Sequence, residues 1–213
     1  MPKETFFNLP EDKRAAICKV AIEEFAAHAF EQASINRIVA KSGIAKGSFY
    51  QYFENKKDLF LYLIQLIAEE KDRYISPVMR NPDQHDFFTL LREIYLSGIQ
   101  FAAEHPQYAE ISRKIMESKG TPIYGEIMAA NLPSAYEIFE TLLKNAIVRG
   151  EVRADIDINL FAYMITSMNS IVIEYYIEYL AQQYNEKMME TIDKFIDFLK
   201  NGIGEQSGGW QSK

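Results

Sequence analysis

Apolar residues recur along this chain at intervals of three and four, and nowhere does apolar-polar alternation persist long enough to suggest a sheet. The pattern predicts an all-α fold of about nine helices. The first runs near 11–28, with Ala16, Val20, Phe25 and Ala27 among its core positions, and two short helices follow on either side of Gly43. A fourth begins after Asn55 and carries the stripe Leu59, Phe60, Leu63, Ile64 and Ile67 to about Ile75, before Pro77 and the Asn81-Pro82-Asp83 turn. Helices at about 85–104 and 106–118 come next, the latter with Pro106 in its favoured first turn. A helix within 123–149, interrupted or kinked near Pro133, stops at Gly150, and helices near 157–183 and 187–202 complete the chain.

The segment 34–53 is the most specific. Ser34 can cap a helix by accepting a backbone N–H one turn in, and Ile35, Ile38 and Val39 share a face. Gly43 can take the left-handed conformation that ends it, with Ile44 tucked under as the accompanying apolar contact. In the next helix Phe49 and Phe53 share one face, and Lys46 and Tyr50 another. That is the geometry of a helix-turn-helix, which places a helix in a DNA major groove. Gly47 in the first turn leaves no side chain between backbone and phosphate.

These residues resemble the TetR family of bacterial transcription regulators. The likeness rests on Ser34-Ile35 through Ile38, on the run Gly43-Ile44-Ala45-Lys46-Gly47-Ser48-Phe49-Tyr50-Gln51-Tyr52-Phe53, and on Lys56-Lys57-Asp58-Leu59. A weaker stretch, Asn145 to Asp155, resembles the family's turn before its last two helices. Two positions depart from it: Ala45 stands where Ser or Thr often caps the recognition helix, and Ala29 where a glycine usually leaves the first helix. The resemblance implies a head at 1–55 and a ligand-binding and dimerisation body at 56–203 with 56–76 as connecting helix, and the Gly-, Ser- and Gln-rich composition after it predicts a flexible tail at 204–213. It implies a homodimeric repressor on a palindromic double-stranded operator, released by a small apolar or amphipathic ligand. In such a docking Lys46 and Gln51 reach base edges and Tyr50 and Lys56 meet phosphates, with Ser48 and Gly47 beside them. Ser34, Arg37 and Tyr52 are further backbone contacts.

Charge agrees once its distribution is considered. The net charge is −7, but residues 1–60 hold nine Lys+Arg against eight Asp+Glu, and residues 34–57 hold five bases (Arg37, Lys41, Lys46, Lys56, Lys57) against Glu54 alone. The acid lies in the remainder, which carries 14 bases against 22 acids.

The last two helices are apolar on more than one face. Phe161, Ile165, Met168, Val172, Tyr175 and Tyr179 form one stripe, Leu160, Met164 and Ile171 widen it, and Met188, Ile192, Phe195, Ile196 and Leu199 follow. The resemblance implies a four-helix dimer interface there, expected at Phe161, Ile165, Val172, Tyr175, Tyr179, Met188, Ile192, Phe195 and Leu199; a single packed core is the alternative. Tyr95, Phe101, Met116 and Tyr124, with Met128, Phe139, Met164 and Met168, can likewise line a ligand cavity, as the resemblance implies, or be plain core.

No enzyme is expected. His28, His85 and His105 are scattered, no phosphate loop or dinucleotide fingerprint appears, and neither metal nor cofactor is indicated. Cys18 alone cannot form an internal disulfide, no run of 18 apolar residues exists, and the residues before position 12 are polar, so a cytoplasmic protein with no membrane contact is expected. Two other readings stay open: a helical ligand-carrier or enzyme with a vestigial DNA head, and a DNA-bound protein-interaction module.

Overall fold

The computed structural model describes residues 1–74, 78, 81–180 and 187–204, with the backbone alone for 131–135 and 169–170. Ten α-helices have described bounds: α1 (Glu4–Phe7), α2 (Glu11–Ala27), α3 (Ile35–Ser42), α4 (Lys46–Tyr52), α5 (Lys56–Asp72), α6 (Phe87–Glu104), α7 (Pro106–Glu117), α8 (Pro122–Val148), α9 (Ile158–Tyr175) and α10 (Met188–Ile203). A 3-10 turn covers Pro82–Gln84, and a π-helical turn, Tyr176–Leu180, continues α9. Among the described residues there is no strand, only an isolated antiparallel bridge between Val152 and Gly204. The fold is all-α, as the periodicity requires.

Local chemistry accounts for several boundaries. The Ser34 hydroxyl accepts the Arg37 amide to start α3, and Gly43, at φ 68°, ends it in the left-handed region. Asn55 accepts the Asp58 amide at 3.0 Å to start α5, and Asp157 accepts the Leu160 amide at 3.0 Å to start α9. Helix α4 has no such help, because Ala45 stands at its N-cap without an oxygen to offer.

Three expectations need correction. The helix α1 has too few residues for periodicity to reveal it. Helix α8 runs through Pro133 as one element, because proline's own φ is helical and the ring costs one backbone hydrogen bond rather than the helix. Gly204, expected to open the flexible tail, is instead held by the bridge to Val152 and by its own amide, which donates to the Lys200 carbonyl at 2.9 Å, while 205–213 lie outside the described residues.

The chain divides into two compact units, one of Met1–Arg73 with Glu104–Met128, the other of Tyr74–Ala103 with Ala129–Lys213. In the first, α2 packs along both α3 and α7. Its centre holds Ile17, Phe25, Ile38, Phe49, Phe53, Leu59, Leu63 and Ile111. The compact unit thus extends beyond the motif that ends near residue 55.

The second unit packs Phe87, Leu90 and Leu91 of α6 with Leu143 and Ala146 of α8, Ala162 and Ile165 of α9, and Met188 and Ile192 of α10. Its N-terminal corner is tied by the Glu151 carboxylate, which accepts the Phe87 amide at 2.8 Å and the Arg149 guanidinium at 2.6 Å. Ile165, Met188, Ile192 and Leu199, expected at an interface between chains, are therefore core residues of their own chain. Phe161, Val172 and Phe195 pack half-buried against that core. Among the described residues of this unit the exposed large apolar side chains are Ile138, Val148, Leu160, Tyr163, Ile171, Tyr175, Tyr179, Leu180 and Phe198. Helix α9 is apolar on two faces, and its own core takes Ile165 with Phe161 and Val172 from the long stripe, while Tyr175 and Tyr179 of the same stripe stay uncovered.

Candidate nucleic-acid interface

Helix α4 separates its side chains sharply. Phe49 and Tyr52, with Phe53 just beyond, are buried, whereas Lys46, Gly47, Tyr50 and Gln51 are exposed and Ser48 is half-buried. Among the rings, Phe49 lies 5.4 Å from buried Phe53 and 5.2 Å from the exposed ring of Tyr50, centroid to centroid. The opposite side offers an ammonium, a phenol, an amide and a hydroxyl within six residues, the donor and acceptor set that reads phosphates and base edges. A Cβ built on Gly47 would meet nothing within 4 Å in this chain, so the fold itself does not call for the glycine.

Four expected contacts also have partners within the chain. Arg37 Nε donates to both carboxylate oxygens of Glu24, at 2.8 and 3.1 Å, and Nη2 donates to the Gln32 carbonyl at 2.8 Å. Ser34 caps α3, and its amide donates to Glu24 at 2.8 Å. Lys56 donates to the carbonyls of Glu31 at 3.1 Å and Ala33 at 3.0 Å, with its ammonium 4.7 Å above the Phe30 ring. Burial pushes the Lys56 ammonium below its usual range, although Glu31 and Glu24 oppose this. Tyr52 is buried with its ring 6.1 Å from that of Phe6. These four residues also shape the head, Arg37 staying exposed, and on α4 itself Lys46, Gly47, Tyr50 and Gln51 are exposed with Ser48 half-buried.

Glu24 was missed. It is a carboxylate 2% exposed. Burial raises its pKa, but the hydrogen bonds from Arg37 and Ser34 and the charge of Arg37 outweigh this and hold it below the ordinary carboxylate value. The available signal was an acid on the same helical stripe as Ile17 and Ala21, where a core position was due.

The eight ligand candidates fall in both units. Met116, Tyr124 and Met128 belong to the first unit; Tyr95, Phe101, Phe139, Met164 and Met168 belong to the second. A hollow in the first unit, about 270 Å³ with its open mouth, is walled by Phe25, Phe30, Phe60, Ile111, Ile115 and Ile123, with His28 and Lys114 among its polar residues, and by none of the eight. Tyr95 stands apart chemically: its hydroxyl is buried with no hydrogen-bond partner among the described residues, and burial pushes the phenol far above its normal pKa. Cys18 is half-buried, and burial raises its thiol to about 11, which leaves little thiolate at neutral pH. Among the described residues no group of three or more His, Cys, Asp or Glu is placed to hold a metal, and no helix is long and apolar enough to cross a membrane.

An all-helical chain that presents the polar face of a short second helix after a glycine turn is a helix-turn-helix DNA-binding protein. Comparison with known proteins makes this more particular. The sequence model described as bacterial regulatory proteins, tetR family, matches residues 17–63. A TetR family transcriptional regulator from Chloroflexus aurantiacus is 33% identical, with 97% of this chain and 100% of that one covered and a TM-score of 0.72. The chain belongs to the TetR family of bacterial regulators. The probable acrEF/envCD operon repressor of Escherichia coli is 31% identical over 96 residues, which are 44% of this chain and 42% of that protein, so the chain spans less than half of that relative's length. The transcriptional regulator FadR of Bacillus subtilis, solved with stearoyl-CoA, shares the fold at 17% identity, with 89% and 98% covered and a TM-score of 0.70.

Proposed function

We propose that the chain is a homodimeric repressor that reads a palindromic operator and is released by an amphipathic ligand held in the second unit. The observation that carries the DNA-reading part is the division of α4, with Phe49, Tyr52 and Phe53 inside and Lys46, Tyr50 and Gln51 outside. Lys46 and Gln51 reach base edges, Tyr50 and Ser48 donate to phosphates, and Gly47 lets the backbone come close. The head at 1–55 is the functional unit in contact with DNA, and the rest serves assembly and response.

Two copies associate through the face left uncovered on α9, its π-helical continuation and α10. Leu160, Tyr163, Ile171, Tyr175, Tyr179 and Phe198 are all exposed, and Tyr175 and Tyr179 stack at 5.6 Å. A contiguous apolar face of this kind calls for a partner, and a palindromic site calls for a two-fold one.

The ligand reading rests on Tyr95. An unpartnered hydroxyl in an apolar core offers one hydrogen bond to a carbonyl or carboxylate whose chain is otherwise apolar. The FadR neighbour was solved with stearoyl-CoA, and an acyl thioester has that chemistry. Such a ligand would lower operator affinity by a coupling of about 1–3 kcal/mol.

Selection of the purified protein from random duplex DNA, followed by titration of Lys46→Ala and Tyr50→Phe, tests this. Enrichment of a palindrome, a steep salt slope and weaker binding by both variants with unchanged dimerisation are expected. Normal binding by both variants would sink the assignment of α4.

A further inference from the structure

We infer that the N-terminal residues 3–6 are a clamp on the recognition helix and a determinant of its sequence specificity. The last turn of any helix leaves carbonyls without intrahelical partners. In α4 each of them is accounted for. The Phe49 carbonyl takes the Phe53 amide at 2.8 Å, the Tyr50 carbonyl takes the Lys3 ammonium at 2.8 Å, the Gln51 carbonyl takes the Thr5 hydroxyl, and the Tyr52 carbonyl takes the Lys3 amide at 2.8 Å. Three of the four thus come from two residues some 47 positions earlier in the chain. Phe6, fully buried, seats the clamp by packing its ring 4.8 Å from Phe53 and 5.6 Å from Tyr62.

A helix of seven residues with no side-chain cap at its start is too short to hold its own direction. Its orientation is set by what grips it. The grip falls on the peptide units of Tyr50 and Gln51, the residues whose side chains face outward, so the clamp fixes the angle at which those side chains leave the protein. Lys3 also places a positive charge against the negative end of the helix. Phosphate contacts by flexible lysines tolerate a small rotation of α4, whereas hydrogen bonds to base edges do not, so losing the clamp should cost sequence preference before it costs general DNA affinity. Residues 3–6 lie outside the stretch 17–63 that matches the family, so nothing in that match assigns them a role.

This rests on the reading of α4 as the DNA-facing helix, and the test separates the two. In the full-length protein, Lys3→Met with Thr5→Val removes both side-chain donors and keeps their bulk, and Lys3→Arg with Thr5→Ser restores them. Dissociation constants for the selected operator and for an unrelated duplex are measured at one salt concentration, together with the melting midpoint. The donor-less variant should bind the operator about tenfold more weakly with its affinity for unrelated DNA unchanged, and the donor-restored variant should match the wild type. An unchanged ratio of the two constants in the donor-less variant overturns the clamp, whether both hold or both fall. A wild type with no operator preference overturns the reading of α4 and the clamp's role with it. Thr5→Val alone, nearly isosteric with the native residue, carries the same comparison if the double variant does not fold.

Discussion

Glu24 and Arg37 form a lopsided pair: the carboxylate side chain is 2% exposed and the guanidinium side chain 45%. Arg37 meets both carboxylate oxygens through Nε, at 2.8 and 3.1 Å, and Oε1 again through Nη2 at 2.5 Å. Helix α2 is thereby fastened to the first turn of α3, the leading helix of the helix-turn-helix.

The lopsidedness decides what each truncation does. Removing Glu24 leaves a guanidinium that water can reach, whereas removing Arg37 leaves a buried carboxylate with no cation. Glu24→Ala should lower the melting midpoint by about 2–10 °C, Arg37→Ala should lower it further, and the double variant should recover part of the Arg37→Ala loss. Thermal melts of the three proteins read this directly.

The same carboxyl gives a pH dependence. Its folded pKa lies below the ordinary value of 4.5, so its contribution is fully present above that pH and is lost as the pH falls through the folded pKa. Wild-type protein should lose stability below about pH 4.5 more steeply than Glu24→Gln, which carries no titrating group at this position. Melting midpoints across pH 3–6 are the measurement, and parallel curves would show that other carboxyls govern the acid limb.

Ala45 is placed at the N-cap of α4 with extended backbone, φ −70° and ψ 147°, so a hydroxyl there would find free amides to accept. Ala45→Ser should stabilise the protein by about 0.5–1 kcal/mol, read as a higher denaturant midpoint with unchanged slope.

Tyr95→Phe removes a buried hydroxyl that has no partner. The ligand-free protein should gain about 1 kcal/mol, while release of operator by long-chain acyl thioesters should need more ligand. Stability that falls instead would mean that the hydroxyl is satisfied in solution.

Phe198 and Ile192 lie six positions apart on α10, the first 65% exposed and the second fully buried. Phe198→Asp should yield folded monomers by sedimentation with little loss of helicity, whereas Ile192→Asp should unfold the second unit.

What the sequence disclosed and what it hid divide by distance along the chain. Ser34, Gly43, Asn55 and the bare Ala45 act on their own backbone neighbours, and their roles follow from residue type and spacing alone. Arg37, Lys56 and Tyr52 carry equally suitable chemistry for phosphates, yet each is occupied by a group that no local pattern announces: Glu24, the carbonyls of Glu31 and Ala33, and Phe6. Helix α9 shows a different difficulty. Its apolar residues run round more than one face, and which face the chain keeps for itself depends on α6, α8 and α10 packed against it.

The first unit is assembled from two stretches of chain with some thirty residues between them, and Ile111 of the later stretch is part of its core. A growing polypeptide therefore has α2 and α5 at the ribosome exit well before α7 exists to cover them. At ordinary elongation speeds of 5–20 residues per second, the interval between residue 73 and residue 128 is about 3–11 s. Throughout that delay α2 lacks α7, so the first unit is complete only after residue 128 although its larger part is encoded first.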